Sequence, residues 1–205
     1  MIKYSIIIPS YNEYENLKLL IPELLEVLKD SMHLYEVLII DRMSKDEETF
    51  SLTQSYKIRY IQRVGGDRYG DAVRSGISAA IGRTIIFMDG DGSHNPEEIL
   101  ELSKYSDSYD LVVSSRYLTS STSENTYLKE LGSIFLNKIC SVLFKVQCSD
   151  FSNSFKAYNG DLLKKVVLHS KDIDIIEEMI YKLIAIKDDV RIHEIPGTFR
   201  KRVNY

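Results

Sequence analysis

The chain has 205 residues, 44% of them hydrophobic, with 26 Lys and Arg against 30 Asp and Glu for a formal net charge of −4. That length and apolar content suffice for one core, so residues 1–205 are expected to form a single domain. The acidic balance excludes a general nucleic-acid binder, whose phosphate-facing surface must be basic.

The first predicted element is a buried strand over residues 2–8 (IKYSIII), stopped by Pro9-Ser10. From Glu15 to Lys29, Leu17, Leu20, Ile21, Leu24, Leu25 and Leu28 recur at helical spacing, with Pro22 discordant. The alternation continues with a strand at Glu36–Ile40, a helix around Glu47–Gln54, a short strand at Ile58–Ile61, a helix around Asp71–Ile81 and a strand at Thr84–Met88. A helix after Pro96, a strand at Leu111–Ser114 and a polar loop over Thr119–Thr126, read as mobile, come next. Tyr127–Val146 reads as a helix whose apolar residues cover much of its circumference, which suits a core helix or one facing an apolar partner. A helix at Ile175–Ile186 and a strand at Ile192–Ile195 follow. Strands alternating with helices predict an α/β fold with a mostly parallel sheet flanked by helices on both faces.

No basic segment leads into an apolar run with a small-residue cleavage site, and no stretch of eighteen apolar residues lacks a charge. Any membrane contact is therefore expected to be peripheral. Cys140 and Cys148 have neither zinc-site spacing nor the density of a disulfide scaffold, which fits a cytoplasmic location.

In open α/β sheets, ligands bind beyond the carboxyl ends of the strands. Three polar clusters stand at such ends: Pro9-Ser10-Tyr11-Asn12-Glu13, Asp41-Arg42 and Asp89-Gly90-Asp91. Two carboxylates as close as Asp89 and Asp91 raise each other's pKa unless a cation lies between them. Asp and Gly are also ordinary turn residues. Placement at the end of an apolar parallel strand favours a divalent cation, Mg²⁺ or Mn²⁺, held by these two carboxylates together with substrate phosphates. His94 is a nearby polar group, and one histidine beside two aspartates does not make a transition-metal site.

The segment RVGGDRYGDAVRSG (63–76) lacks G-x-G-x-x-G spacing and does not follow the first strand, which excludes a dinucleotide fingerprint. It reads as a loop at a helix N-terminus, suited to phosphates, with Arg63, Arg68 and Arg74 adding positive charge.

Together these segments resemble glycosyltransferase family 2, most closely the branch typified by dolichol-phosphate mannosyltransferases, nearly end to end. The resemblance implies a GT-A fold, a nucleotide-diphospho-sugar donor and a polyprenyl or dolichyl phosphate acceptor, with a hexose such as mannose or glucose transferred by inversion. IIIPSYNEYENL resembles the opening motif, implying that Pro9, Tyr11 and Glu13 border the nucleoside, with Asp41 on the same donor side. FMDGDGSH is similar to the metal motif, implying Asp89 and Asp91 around metal and diphosphate; Asp91 is the expected direct ligand, with Asp89 sharing the metal or a sugar hydroxyl. VVSSRYL, DFSNSFKAY and EIPGTFRKR resemble the segments carrying an acceptor-phosphate arginine (Arg116), an aspartate near the sugar (Asp150) and a terminal phosphate-binding arginine (Arg202). Lys129 and Ser133 at the head of the broad apolar helix fall at acceptor-phosphate positions, next to a helix face expected to rest on a membrane. Lys129 also reads as a solvated helix lysine, and Glu178 either as a donor-side residue or as a solvent-facing glutamate.

The chain departs from the family pattern in several places. Asp41-Arg42-Met43-Ser44 replaces paired aspartates with Gly-Ser, Arg68 stands where glycine is common, Asn153-Ser154 replaces Ser-Gly, and Lys156 stands where arginine is usual. If the acceptor were a sugar hydroxyl in polysaccharide assembly, Asp150 would be its base; with a lipid phosphate it would orient donor or cations. A non-catalytic homologue that binds nucleotide without turnover is the reading from a different class. The oligomeric state is not legible.

Overall fold

The computed structural model describes residues 2–31, 34–118, 122–123, 137 and 146–200. In chain order it contains β1 (Tyr4–Pro9), α1 (Tyr14–Ser31), β2 (Tyr35–Asp41), α2 (Glu47–Ser55), β3 (Arg59–Gln62), α3 (Tyr69–Ala79), β4 (Thr84–Phe87) and α4 (Glu98–Tyr105). These are followed by β5 (Leu111–Ser115), β6 (Thr122–Ser123), β7 (Lys156–Asn159), α5 (Gly160–Leu163), α6 (Ile175–Ile186), β8 (Ile192–Pro196) and β9 (Thr198–Phe199).

Seven strands form one sheet in the order β3-β2-β1-β4-β7-β5-β8. β1 pairs in parallel with β2 and β4, β2 with β3, and β5 with β8, so the sheet is mostly parallel as the sequence predicts. Alternation along the buried strands builds a core on each face. Ile7, Ile85 and Phe87 pack with Val73 and Ile77 of α3 and Ile176, Met179 and Leu183 of α6. Ile6, Ile8, Ile86 and Met88 pack on the other face with Leu17, Ile21 and Leu24 of α1 and Ile99 and Leu102 of α4.

The differences from the predicted elements have local causes. α1 runs straight through Pro22. The missing N–H removes one helical bond, but the face formed by Leu17, Leu20, Ile21, Leu24 and Leu28 is buried and holds the helix together. α3 begins at Tyr69, two residues ahead of the expected start, because the backbone N–H of Arg68 donates to Asp71 Oδ2 at 3.2 Å and caps the first turn. It ends at Ala79, leaving Ile81 outside and exposed.

The segment read only as a site motif, DFSNSFKAY, ends in β7, which runs antiparallel between β4 and β5. Four residues led by a lysine carry no strand signature, and Lys156 proves to be fully buried there. Within the loop expected to be mobile, Thr122–Ser123 form β6 and pair in parallel with β9. The helix expected over Tyr127–Val146 lies almost wholly outside the described residues; Asn137 is helical and Val146 is not. Cys140 also lies outside them, whereas Cys148 is a buried free thiol. Among the described residues no helix is long and apolar enough to cross a membrane.

Candidate active site

The carboxyl ends of β1, β2 and β4 meet at one edge of the sheet because the three strands are parallel neighbours in register. A cavity of about 250 Å³ opens there, lined by Pro9, Tyr11, Glu13, Asp89 and Asp91 and walled by Arg63, Asp67, Tyr69 and Ile173. The first five are residues that the sequence had placed with donor and metal. The wall residues had not been placed in the donor site, except that Arg63 had been read as phosphate-facing.

Asp89 and Asp91 lie on the turn that follows β4. Gly92 adopts φ +76°, a left-handed conformation that favours glycine, and this folds the turn back so that Ser93 N–H and Oγ donate to Asp91 Oδ1 at 3.0 and 2.6 Å. Asp89 receives the Tyr69 hydroxyl on Oδ1 at 3.3 Å and the Ser154 hydroxyl on Oδ2 at 2.7 Å. His94 is buried behind them, stacked on Phe155 with ring centroids 4.7 Å apart. Its Nδ1 accepts the Asp89 backbone N–H at 3.0 Å, which requires that nitrogen to be unprotonated. Burial, outweighing the nearby Asp89 and Asp91, lowers its pKa further, so His94 is neutral.

Asp41 stands at the end of β2 behind the Arg63 guanidinium. It is fully buried; Oδ2 accepts from Tyr60 at 3.0 Å, while Oδ1 has no hydrogen-bond partner among the described residues. Burial raises its pKa, against the hydrogen bonds from Arg42 and Tyr60. Arg42 donates to Asn12 Oδ1 at 2.9 Å and pairs with Asp46 at 3.3 Å, bridging the loop after β1 to the N-cap of α2.

Three arginines of the 63–76 segment do other work than the phosphate role first read for them. Arg63 is buried and donates to the carbonyls of Asp41 at 3.0 Å, Asp67 at 2.9 Å and Arg68 at 3.2 Å, and also to Ser10 O. It ties the ends of β1 and β2 to the loop. Arg68 pairs with Asp172, and Arg74 with Asp71 and Ser170 O. The α3 N-terminus is no open phosphate seat either, since Gly70 N–H donates to Lys171 O at 2.8 Å. A Cβ at Gly70 would lie 2.3 Å from Ser170 O, so this approach requires glycine.

Glu178, read either beside the donor or in solvent, is buried in α6 and does not line the cavity. Its carboxylate accepts from His169 N–H at 2.9 Å and Ser170 N–H at 2.7 Å and pairs with Lys182 at 3.2 Å. Burial would raise its pKa, but these bonds outweigh it and hold the group below the usual value. Glu178 thus secures the strap over residues 169–173 that carries Ile173 to the cavity.

On the other side of Asp89, the turn before β7 presents Asp150. Its carboxylate is fully buried and receives Arg116 three ways: Nε to Oδ2 at 2.8 Å, Nη2 to Oδ1 at 2.7 Å, and backbone N–H to Oδ2 at 3.0 Å. Burial would raise the Asp150 pKa, but the hydrogen bonds and charge of Arg116 prevail and hold it below the ordinary value. Arg116 Nη2 also donates to Ser152 at 2.9 Å. Lys156 extends its ammonium beneath this turn to Phe151 O at 3.0 Å and to Asn153 O. Burial pulls the pKa of Lys156 down to about 8 against the attraction of Asp150. β9 brings the end of the described chain to the Asp89–Asp91 turn, with Arg200 N–H donating to Ser93 O at 2.8 Å. Lys129, Ser133 and Arg202 lie outside the described residues.

The donor set fits a hard divalent cation. Two carboxylates face one cavity, and no cluster of three or more His, Cys, Asp or Glu side chains among the described residues competes for a metal. Such a pair leaves coordination positions for phosphate oxygens and water, the arrangement Mg²⁺ and Mn²⁺ take with phosphorylated substrates.

Three comparisons with known proteins bear on this geometry. The profile of Glycosyl transferase family 2 matches residues 5–167. A dolichol-phosphate mannosyltransferase of Pyrococcus furiosus is 30% identical over 96% of this chain and 56% of its own length, so the chain spans little more than half of that relative. A polyprenol monophosphomannose synthase of Mycolicibacterium smegmatis is 28% identical over 96% of this chain and 77% of its own. Among solved structures, glucosyl-3-phosphoglycerate synthase from Mycobacterium tuberculosis, in complex with Mn²⁺, UDP-glucose and phosphoglyceric acid, aligns with a TM-score of 0.76 at 16% identity, covering 99% of this chain and 72% of that one. The same enzyme in complex with Mg²⁺ and UDP aligns with a TM-score of 0.75 at 15% identity, with the same coverage of both chains.

Proposed function

The chain belongs to glycosyltransferase family 2 and has the GT-A fold, and on that premise we propose that it transfers a sugar, with inversion, from a nucleotide-diphospho-sugar to polyprenyl phosphate. The observation that carries the acceptor half is the state of Asp150. A hydroxyl acceptor needs a base with an available lone pair and a pKa near the working pH. Asp150 has both oxygens engaged by Arg116 and a pKa held below the usual carboxylate range, which makes it a poor base.

A phosphate monoester needs no base, because it arrives as an anion and has only to be guided by cations. In this reading Asp150 sets the orientation of Arg116, which with Lys129, Ser133 and Arg202 receives the acceptor phosphate. The names of the two relatives, one a dolichol-phosphate mannosyltransferase and one a polyprenol monophosphomannose synthase, support the same acceptor class. A lipid-linked acceptor would place this side of the molecule at the cytoplasmic face of a membrane.

On the donor side, Pro9, Tyr11 and Glu13 border the nucleoside, with Asp41 buried behind them at the end of β2. Asp91 and Asp89 hold the diphosphate end, Asp91 as the direct metal ligand. Bound there, Mg²⁺ or Mn²⁺ supplies the positive charge that stabilises the departing nucleoside diphosphate.

The test is a transfer assay using the purified protein, a panel of labelled UDP- and GDP-sugars, Mg²⁺ or Mn²⁺, and either polyprenyl phosphate in detergent or soluble glycans. Label in the lipid fraction, dependent on the phosphate acceptor, is the expected result. Transfer to glycan hydroxyls with none to the lipid phosphate would overturn the acceptor assignment.

A further inference from the structure

Asp89 is gripped from two sides by hydroxyls that the mechanism above leaves without a task. Tyr69, the first residue of α3, meets Oδ1 at 3.3 Å, and Ser154, on the turn into β7, meets Oδ2 at 2.7 Å. A carboxylate turns easily about its terminal bond, because that torsion has broad, shallow wells. Donors on opposite oxygens remove that freedom. We infer that Tyr69 and Ser154 are positioning residues, a hydroxyl clamp that fixes the Asp89 carboxylate in the orientation in which it meets the diphosphate end of the donor and its cation. The inference rests on the donor site proposed above.

Each jaw of the clamp is anchored independently of Asp89. Tyr69 cannot slide along the cleft, because Gly70 N–H is held by Lys171 O and the strap that supplies this carbonyl is held in turn by Glu178. Ser154 ends a turn whose carbonyls at Phe151 and Asn153 are taken by the buried Lys156 ammonium, while Asn153 Nδ2 donates to Ser114 O at 2.6 Å. The backbone of Asp89 is fixed as well, through its N–H to His94 Nδ1.

Ser154 also belongs to the group of departures at positions 153, 154 and 156. Glycine, common at 154 in the family this chain resembles, has no hydroxyl to give Asp89. The departure therefore has a structural use here: Asn153 and Lys156 hold the turn that aims the Ser154 hydroxyl.

A binding experiment separates positioning from simple packing. Mn²⁺ is titrated by electron paramagnetic resonance in the presence of UDP and, separately, of GDP, using the wild type, Tyr69→Phe, Ser154→Ala and the double variant. The same hydroxyl deletions are then made in an Asp89→Ala background, and thermal melts confirm folding. Each single deletion is expected to weaken Mn²⁺ binding about ten-fold, as for loss of a hydrogen bond to a charged group, and the double variant more. In the Asp89→Ala background the deletions are expected to change nothing further, because they act through that carboxylate. Ser154→Gly, which also leaves no bulk behind, is expected to match Ser154→Ala.

Unchanged Mn²⁺ affinity in the folded double variant would overturn the clamp while leaving the donor site standing. A loss that persists in the Asp89→Ala background would overturn it too. If the wild type binds neither nucleotide with Mn²⁺, the donor-site reading fails and the clamp fails with it.

Discussion

Asp91→Ala is expected to reduce sugar transfer by roughly 10²–10³-fold or more, the loss typical when a preorganised charge-stabilising group is removed from a reaction centre. The fold should survive. Asp91 is only half-buried, at the rim of the cavity, and the hydrogen bonds it accepts from Ser93 close a local turn, a loss of about 1 kcal/mol. The deficit should appear in kcat at saturating donor, with an unaltered circular dichroism spectrum and a melting temperature within a few degrees of the wild type. Near-normal turnover in Asp91→Ala would remove this residue from the metal site.

Arg116→Ala is expected to produce the largest loss of stability, about 3–5 kcal/mol, because it leaves a fully buried carboxylate without its charge partner. For a chain of this length that corresponds to a fall in Tm of roughly 6–20 °C. The pH dependence has a definite sign. In the wild type the folded pKa of Asp150 is depressed, so the pair's contribution is fully present above the unfolded pKa of about 3.9 and is lost as pH falls through the lower folded value. In the variant the side-chain hydrogen bonds and charge of Arg116 are gone, and the upward push of burial is opposed only by Lys156 and by the backbone N–H that remains at position 116. Asp150 then takes up a proton more readily in the folded state, and the gap to the wild type should narrow between pH 7 and pH 5. Urea denaturation at the two pH values measures this; a gap that stays constant or widens would mean that Asp150 is not the group left stranded.

Local chemistry made the half of the sheet that borders the cavity legible. β1, β2 and β4 are apolar runs of β-branched and aromatic residues cut off by Pro9-Ser10, Asp41 and Asp89, and parallel pairing then forces those endings to one edge. The alternation of strand and helix was enough to predict that edge as the binding site. β7 escaped because it is four residues long and opens on a lysine, whose burial depends on carbonyls at 151 and 153 that only the folded turn presents. The early start of α3 depends on one backbone-to-Asp71 bond that the hydrophobic periodicity does not register.

Within the site, several residues that line the cavity were singled out in the sequence, whereas residues that hold distant backbone were not read as doing so. Arg63 looks in sequence like one more phosphate-facing cation; it is buried because its guanidinium satisfies carbonyls from β1, β2 and the glycine-rich loop together. Glu178 behaves likewise, capping N–H groups eight and nine residues upstream. Tyr69, Asp89 and Ser154 are widely separated along the chain, and no spacing rule connects them.

The central claim is that a divalent cation anchored at the tip of β4 joins the protein to the donor diphosphate. Crystals grown with Mn²⁺ and a bound nucleotide-sugar, measured at the manganese absorption edge, test it directly. The expected result is one anomalous peak within about 2.0–2.4 Å of an Asp91 carboxylate oxygen and of diphosphate oxygens. A donor bound in the cavity with no such peak, and with Asp89 and Asp91 turned to solvent, would contradict it.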